Sequence, residues 1–229
     1  MIGLVLRQRE FLLIVLDAMR YDVFERIYRD YLDGTLYKVW SSGSCTIEWL
    51  RNTFTGFYDL VYVSACGFCL AGFEAKTRHG SFSADRHFKR TVNVFADDWD
   101  DELGTVHPSS VNKRALENAY PRMIVHYLQP HAPLIGEPRL LMNEKQITDA
   151  VRRGRLSRTY VERAYEGNAR LVLQYVRELV ERMPHRNVYV TSDHGELLGE
   201  NGVYDHPCGS YDERLRIVPF LVVRSESIG

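Results

Sequence analysis

The sequence predicts an α/β fold: a three-layer α/β/α sandwich around a mostly parallel central sheet. Three observations predict it. Short β-rich runs recur along the chain, and the first of them, FLLIVL at 11–16, is continuously apolar, as a strand buried on both faces must be. Segments of helical periodicity lie between these runs. No linker, repeat or low-complexity tract divides the chain, so residues 1–229 are expected to form a single domain.

The elements follow in order. After FLLIVL comes Asp17, then DAMRYDVFERIYRDYL, with Phe24, Ile27, Tyr28 and Tyr31 on one helical face and Gly34 as its stop. LYKVW, 36–40, is a second strand, and the polar loop SSGSCT runs into a short helix, IEWLRNTF, closed by Thr55-Gly56. DLVYVSA, 59–65, is a strand. Residues 72–105 read as a surface excursion holding one strand, TVNVF. A helix over 109–120 is expected to be capped by Ser109 or Ser110. RMIVHYL, 122–128, is a strand that ends in a rigid turn, Gln129-Pro130-His131-Ala132-Pro133, and a peripheral helix precedes Gly154.

The longest amphipathic helix spans 159–183, with Val161, Ala164, Tyr165, Ala169, Val172, Val176 and Leu179 as its apolar stripe and Pro184 as its terminator. NVYVTS, 187–192, is a buried strand that delivers Asp193 and His194. RIVPFLVV, 216–223, is the last strand, and its Pro219 favours a sheet edge or a strand start.

Composition excludes some classes. Apolar residues at 45% and charged residues at 26% rule out a mostly disordered chain. A formal charge of -1, from 29 basic and 30 acidic residues, gives no reason to expect a nucleic-acid partner. It leaves an anionic substrate open, because a bound metal inverts the field of an acidic pocket. Four cysteines, at 45, 66, 69 and 208, are too few and too irregular for a disulfide scaffold. Cys66 and Cys69 sit in apolar surroundings and read as two semi-buried thiols rather than a disulfide or half a metal site. FLLIVL is too short to span a bilayer, and no cleavage site follows it, so a cytoplasmic location is expected.

The informative feature is where the metal-type side chains fall. Asp17 ends one strand and Asp193-His194 another; His126 lies near the end of a third, with His131 five residues on and His206 in a glycine-flanked loop. Carboxylate oxygen with imidazole nitrogen suits zinc, manganese or a similar divalent ion. Each has a plainer role open to it: Asp17 as a helix cap, Asp193-His194 as a tight turn, His131 as packing between prolines. Independent structural roles do not explain why separate strands all end in ligands on the side where α/β folds bind them. His79, His87, His107 and His185 are left as solvent-facing or turn residues. Thr46, where a polar loop becomes a helix, is the candidate nucleophile, with Ser42, Ser44 and Cys45 as rivals that the residues alone leave open.

These blocks resemble the alkaline phosphatase/sulfatase superfamily, in particular its small sulfatase-like members. LIVLDAMRYDVF places Asp17 at the first metal-binding carboxylate. SCTIEWLRNTFTG looks like the nucleophile motif, with Thr46 ten residues before Gly56, and VHYLQPHAP like the family's histidine block. VTSDHGELLGENGVYDHP followed by YDERLRIVPFLV is the most specific match.

The resemblance implies an alkaline-phosphatase-like fold in which Asp17, Thr46, Asp193 and His194 hold a divalent ion (zinc, manganese, magnesium or calcium). His131, His206 and His126 would contact the transferred anion, protonate the leaving group or help bind metal. Asp149 is the only aspartate between 130 and 190, which favours one ion over the two of some relatives. Threonine at 46 cannot become formylglycine, and the proline and arginine of the sulfatase motif are missing. The expected activity is therefore hydrolysis of small anionic phosphate mono- or diesters through a phosphothreonine.

A sulfatase, a phosphotransferase and an inactive binding module are the alternatives. Residues 72–110 and 134–158 are expected to wall the pocket, with Lys76, Arg78, Arg152, Arg153 and Arg155 either contacting an acidic group or solvated. Relatives usually continue into a carboxyl-terminal subdomain, so the chain reads as a minimal or truncated core.

Overall fold

The computed structural model describes residues 1–183 and 187–224. Pro184, the expected terminator of the long helix, and His185 lie outside the described residues. Strand β1 (Phe11–Leu16) is fully buried, as its continuous apolar sequence requires. It lies at the centre of a seven-stranded sheet with β2 (Gly34–Trp40), β3 (Tyr58–Ser64), β4 (Phe88–Val92), β5 (Arg122–Tyr127), β6 (Val188–Ser192) and β7 (Ile217–Val223). The spatial order is β2-β7-β6-β1-β5-β3-β4. The β6-β1-β5-β3-β4 pairs are parallel, while β7 runs antiparallel to both its neighbours.

Alternate residues of β1 separate two cores. Leu12, Ile14 and Leu16 pack with helices α1 (Tyr21–Ile27), α3 (Pro108–Glu117) and α5 (Arg158–Arg182). Phe11, Leu13 and Val15 pack with helix α2 (Thr46–Thr53) and the hairpin Glu74–Thr77/Gly80–Ser83. This period-2 rule also sorts β5: Met123, Val125 and Tyr127 face the α5 side, and Ile124 faces the α2 side. His126 shares the face of Ile124, and its ring meets the Trp49 ring of α2 at 5.9 Å. The seven stripe positions expected on α5 are all buried, and Asn168, also buried, joins them.

Several local expectations are corrected. Pro219 lies on an interior strand, not an edge. It is tolerated because the ladder with β6 covers only Phe220–Val222, and its carbonyl accepts from Thr191 Oγ1 at 2.8 Å. Helix α3 begins at Pro108, with His107 as its N-cap accepting from the Ser109 N–H, so neither Ser109 nor Ser110 caps it. Proline at the first helical position loses nothing there, since its missing N–H would be unpaired in any case. In the 72–105 excursion the sheet strand is Phe88–Val92 rather than TVNVF, and Val94–Asp97 turns helical.

Candidate functional site

The carboxyl ends of β1, β5 and β6, adjacent in the parallel sheet, bring Asp17, His126 and Asp193-His194 together. Asp193 Oδ1 accepts from the Ala18 N–H (3.1 Å) and its following His194 N–H (2.9 Å). That orients Oδ2 inward. Ala18 holds a positive φ of 61°, a costly conformation for a residue with a Cβ. Tyr165 of α5 braces it: the Tyr165 hydroxyl donates to the Ala18 carbonyl (2.5 Å) and accepts from the Arg20 N–H (2.9 Å). Tyr165→Phe leaves two buried backbone groups unpaired and is expected to cost about 1–3 kcal/mol in denaturant unfolding.

Imidazole orientation is set from behind. His194 Nδ1 lies 2.8 Å from the Gly195 carbonyl, so it carries the proton and Nε2 presents a lone pair. His126 Nδ1 lies 2.8 Å from the Tyr62 hydroxyl, leaving its Nε2 free. Burial keeps both rings neutral, pushing His126 down to about 4 and His194 well below the usual range, the latter helped by His206. Gly195 is required where it stands, because a Cβ would lie 1.9 Å from the Arg214 carbonyl oxygen.

Thr46 is the first residue of α2, and its Oγ1 lies 3.1 Å from His194 Nε2. The rival nucleophiles are all engaged elsewhere. Ser42 Oγ bonds Thr53 Oγ1 and Ser44 Oγ donates to Glu48 and to the Pro207 carbonyl. Cys45 forms a disulfide with Cys208. Glu48 reaches back from the first turn of α2 to the Ser44 N–H, which fixes the loop entering the helix.

The arrangement fits a cation. Asp17 Oδ1, His126 Nε2 and Asp193 Oδ2 are buried and have no hydrogen-bond partner among the described residues. One ligand atom from each of these residues lies within 4.8 Å of the others. The neutral His194 Nε2 faces the same gap, 3.6 Å from Asp17 Oδ1 and 3.4 Å from Asp193 Oδ2. Lone pairs and carboxylates facing one another across a dry gap repel unless a positive ion lies between them. Burial and the Asp193 carboxylate accordingly push Asp17 well above the ordinary carboxylate range. The sulfurs of a second His/Cys/carboxylate group, Cys45, Glu48 and Cys208, are consumed by the disulfide.

His131 and His206 line the more open side. Their rings lie 5.1 Å apart, and His206 stacks on His194 at 4.4 Å. Each is paired with a carboxylate that sequence reading missed: His206 Nδ1 with Glu196 Oε2 at 3.0 Å, His131 Nε2 with Glu144 Oε1 at 2.9 Å. Burial opposes the charged ring of His206, but Glu196 outweighs it and raises the group to about 9. Glu196 adjoins the Asp193-His194 block, a signal that could have found it. Glu144, on helix α4 (Glu144–Arg152), leaves no such trace. Asn168 of α5 secures the turn between them, accepting from the Ile135 and Gly136 N–H groups and donating to the Pro130 and His131 carbonyls. The basic candidates stay outside this cluster: Lys76 pairs with Glu74, Arg78 bonds His79, and Arg152, Arg153 and Arg155 are exposed.

No family model and no curated protein matches the sequence. Solved structures do match. The integral membrane lipooligosaccharide phosphoethanolamine transferase A of Neisseria meningitidis superposes with a TM-score of 0.66 at 16% identity, over 95% of this chain and 48% of that one. The C-terminal periplasmic domain of EptC from Escherichia coli, in complex with Zn, matches with a TM-score of 0.60 at 15% identity, over 95% and 73%. A phosphonate monoester hydrolase of Agrobacterium radiobacter matches with a TM-score of 0.54 at 13% identity, over 95% and 68%. The fold is that of the alkaline phosphatase/sulfatase superfamily. The chain spans about half the length of the full-length transferase.

The comparison also overturns the cytoplasmic expectation, since the similar EptC domain is periplasmic. The Cys45–Cys208 bridge agrees with that correction, because such bonds persist in oxidising compartments. Cysteines 163 positions apart give no local pairing signal, which is why composition missed the bridge. Cys66 and Cys69 are both free and buried. In this alkaline phosphatase/sulfatase fold the disulfide joins the residue before Thr46 to the loop of His206. Replacing both Cys45 and Cys208 with alanine is expected to lower unfolding free energy by about 2–5 kcal/mol, measured in denaturant without reductant. No helix among the described residues is long and apolar enough to cross a membrane.

Proposed function

We propose that the protein is a divalent-metal-dependent phosphoryl-transfer enzyme, located outside the cytoplasm, that acts on small anionic phosphate esters with Thr46 as nucleophile. The observation that carries this reading is the single free hydroxyl at the site: Thr46 Oγ1 adjoins the only gap where two carboxylates and two neutral imidazoles face one another among the described residues. Asp17, Asp193, His194 and His126 would hold the ion. When bound, a divalent ion there supplies charge that lowers the pKa of the Thr46 hydroxyl and offsets that of the transferred group.

The chain's own residues do the rest. Thr46 Oγ1 attacks phosphorus in line, the bond to the leaving oxygen breaks, and a phosphothreonine forms. His206 Nε2 donates its proton to the leaving oxygen, with Nδ1 held on Glu196. A second acceptor, water or another hydroxyl, then attacks phosphorus and frees Thr46, with His206 taking the incoming proton. The backbone N–H groups at the start of α2 face the equatorial oxygens.

A sulfatase is disfavoured because Cys45, the one residue that could supply formylglycine, is tied to Cys208. The test is turnover by protein purified from an oxidising compartment and loaded in turn with zinc, manganese, magnesium or calcium. Zinc is the first ion to try, given the Zn complex of the similar domain. Hydrolysis or transfer of 4-nitrophenyl phosphoesters is expected. Turnover of aryl sulfates alone would overturn the reading.

A further inference from the structure

This inference rests on the phosphoester reading and asks which ester charge the site accepts. The charges near Thr46 come in balanced groups. Asp17 and Asp193 together balance one divalent ion. His206 is matched by Glu196 and His131 by Glu144, each within 3.0 Å. Histidines that would otherwise add positive charge beside the transferred group are thus neutralised as pairs.

Glu144 is the unexpected member. It is the first residue of α4, whose start is fixed independently by the reciprocal Asn143–Gln146 capping box and whose Ile147 and Ala150 are buried. Its carboxylate is therefore delivered to His131 by the fold rather than drawn there as a mobile side chain. His131 has no spare nitrogen, because Nδ1 lies 2.6 Å from the Ala132 carbonyl and Nε2 faces Glu144. Arginine, the usual partner of a dianion, is absent from these contacts among the described residues.

We propose that Glu144 is the charge filter of the site: by cancelling His131 it makes the pocket favour singly charged phosphodiesters over doubly charged monoesters. A dianion entering beside Glu144 and Glu196 meets like charge with no uncommitted cation, and a monoanion meets half as much. Removing one carboxylate charge without changing its shape should relax the discrimination.

The test compares two esters that share a leaving group and differ by one charge, 4-nitrophenyl phosphate and methyl 4-nitrophenyl phosphate, with the zinc-loaded protein and its Glu144→Gln variant. The substitution keeps the capping box intact. The wild type is expected to prefer the diester, and Glu144→Gln to raise the monoester-to-diester ratio of kcat/KM by about tenfold. A wild-type preference for the monoester, or a ratio that stays within about twofold in the variant, overturns the filter.

Calorimetry on zinc-loaded Thr46→Ala protein gives a second readout that does not need turnover. Adding Glu144→Gln should tighten inorganic phosphate at pH 8 about tenfold and leave dimethyl phosphate nearly unchanged. Equal effects on both anions, or no binding of either, overturn the proposal. Absence of hydrolysis together with the expected binding shift would instead reject the phosphoester chemistry and keep the filter. Glu144→Ala should move both readouts the same way, which guards against a folding defect peculiar to one variant.

Discussion

Thr46→Ala is expected to lower phosphoester turnover by at least about a thousandfold while the protein still binds its metal ion. The substitution removes the one hydroxyl that faces His194 Nε2 and leaves Asp17, His126, Asp193 and His194 in place. Three measurements check it: steady-state turnover, metal content after dialysis, and mass spectrometry of acid-quenched wild type for a phosphorylated peptide containing Thr46. Thr46→Ser, which keeps the nucleophilic oxygen, should retain part of the activity. Turnover unchanged in the alanine variant would remove Thr46 from the mechanism, whatever its effect on stability.

Asp17→Asn is expected to act in opposite directions on function and on stability. Without metal, two carboxylates and the lone pairs of two neutral imidazoles share one buried gap, and the protein is destabilised by their repulsion. An amide in place of Asp17 relieves that repulsion, so the metal-stripped variant should be more stable than metal-stripped wild type by about 1–3 kcal/mol. Added zinc should raise the melting temperature of wild type by several degrees and that of the variant by little or nothing. Turnover should fall with the lost metal. A variant that is less stable than wild type in chelator, yet still responds to zinc, would mean that the gap is not a cation site.

The same gap shows how far sequence reading reaches. Asp17, Asp193 and His194 were legible because each follows a buried strand, and β1, β6 and β5 are adjacent in the parallel sheet. Their carboxyl ends therefore open onto one place. His126 was legible as a candidate but ambiguous in role. The alternation of β5 turns its ring to the α2 side, behind the carboxylates and out of solvent, where only a ligand role suits it. Thr46 could not be separated from Ser42, Ser44 and Cys45 by composition, because which hydroxyl faces the imidazole depends on the path of the loop into α2.

Other features were not legible at all. Glu144 stands on a peripheral helix, and nothing in its neighbours marks it as different from any solvated glutamate. Its place beside His131 follows from how the turn after β5 is clamped by Asn168 of α5. Gly167 lets that turn approach the helix, since a Cβ there would lie 2.0 Å from the Glu137 carbonyl oxygen. The Cys45–Cys208 bridge and the interior position of Pro219 are likewise long-range outcomes, set by which segments meet and not by what either segment contains.

By itself, then, the sequence determined the three-layer α/β architecture, the central strand and the end of the sheet at which chemistry is gathered. Apolar period and strand-end position are local properties, written in runs of a few residues. Tertiary structure decided which hydroxyl is free, which imidazoles are neutral, which histidines are already matched by carboxylates, and that two distant cysteines are bonded. Those depend on burial and on contacts between residues up to 163 positions apart, and such contacts exist only once the layers have packed.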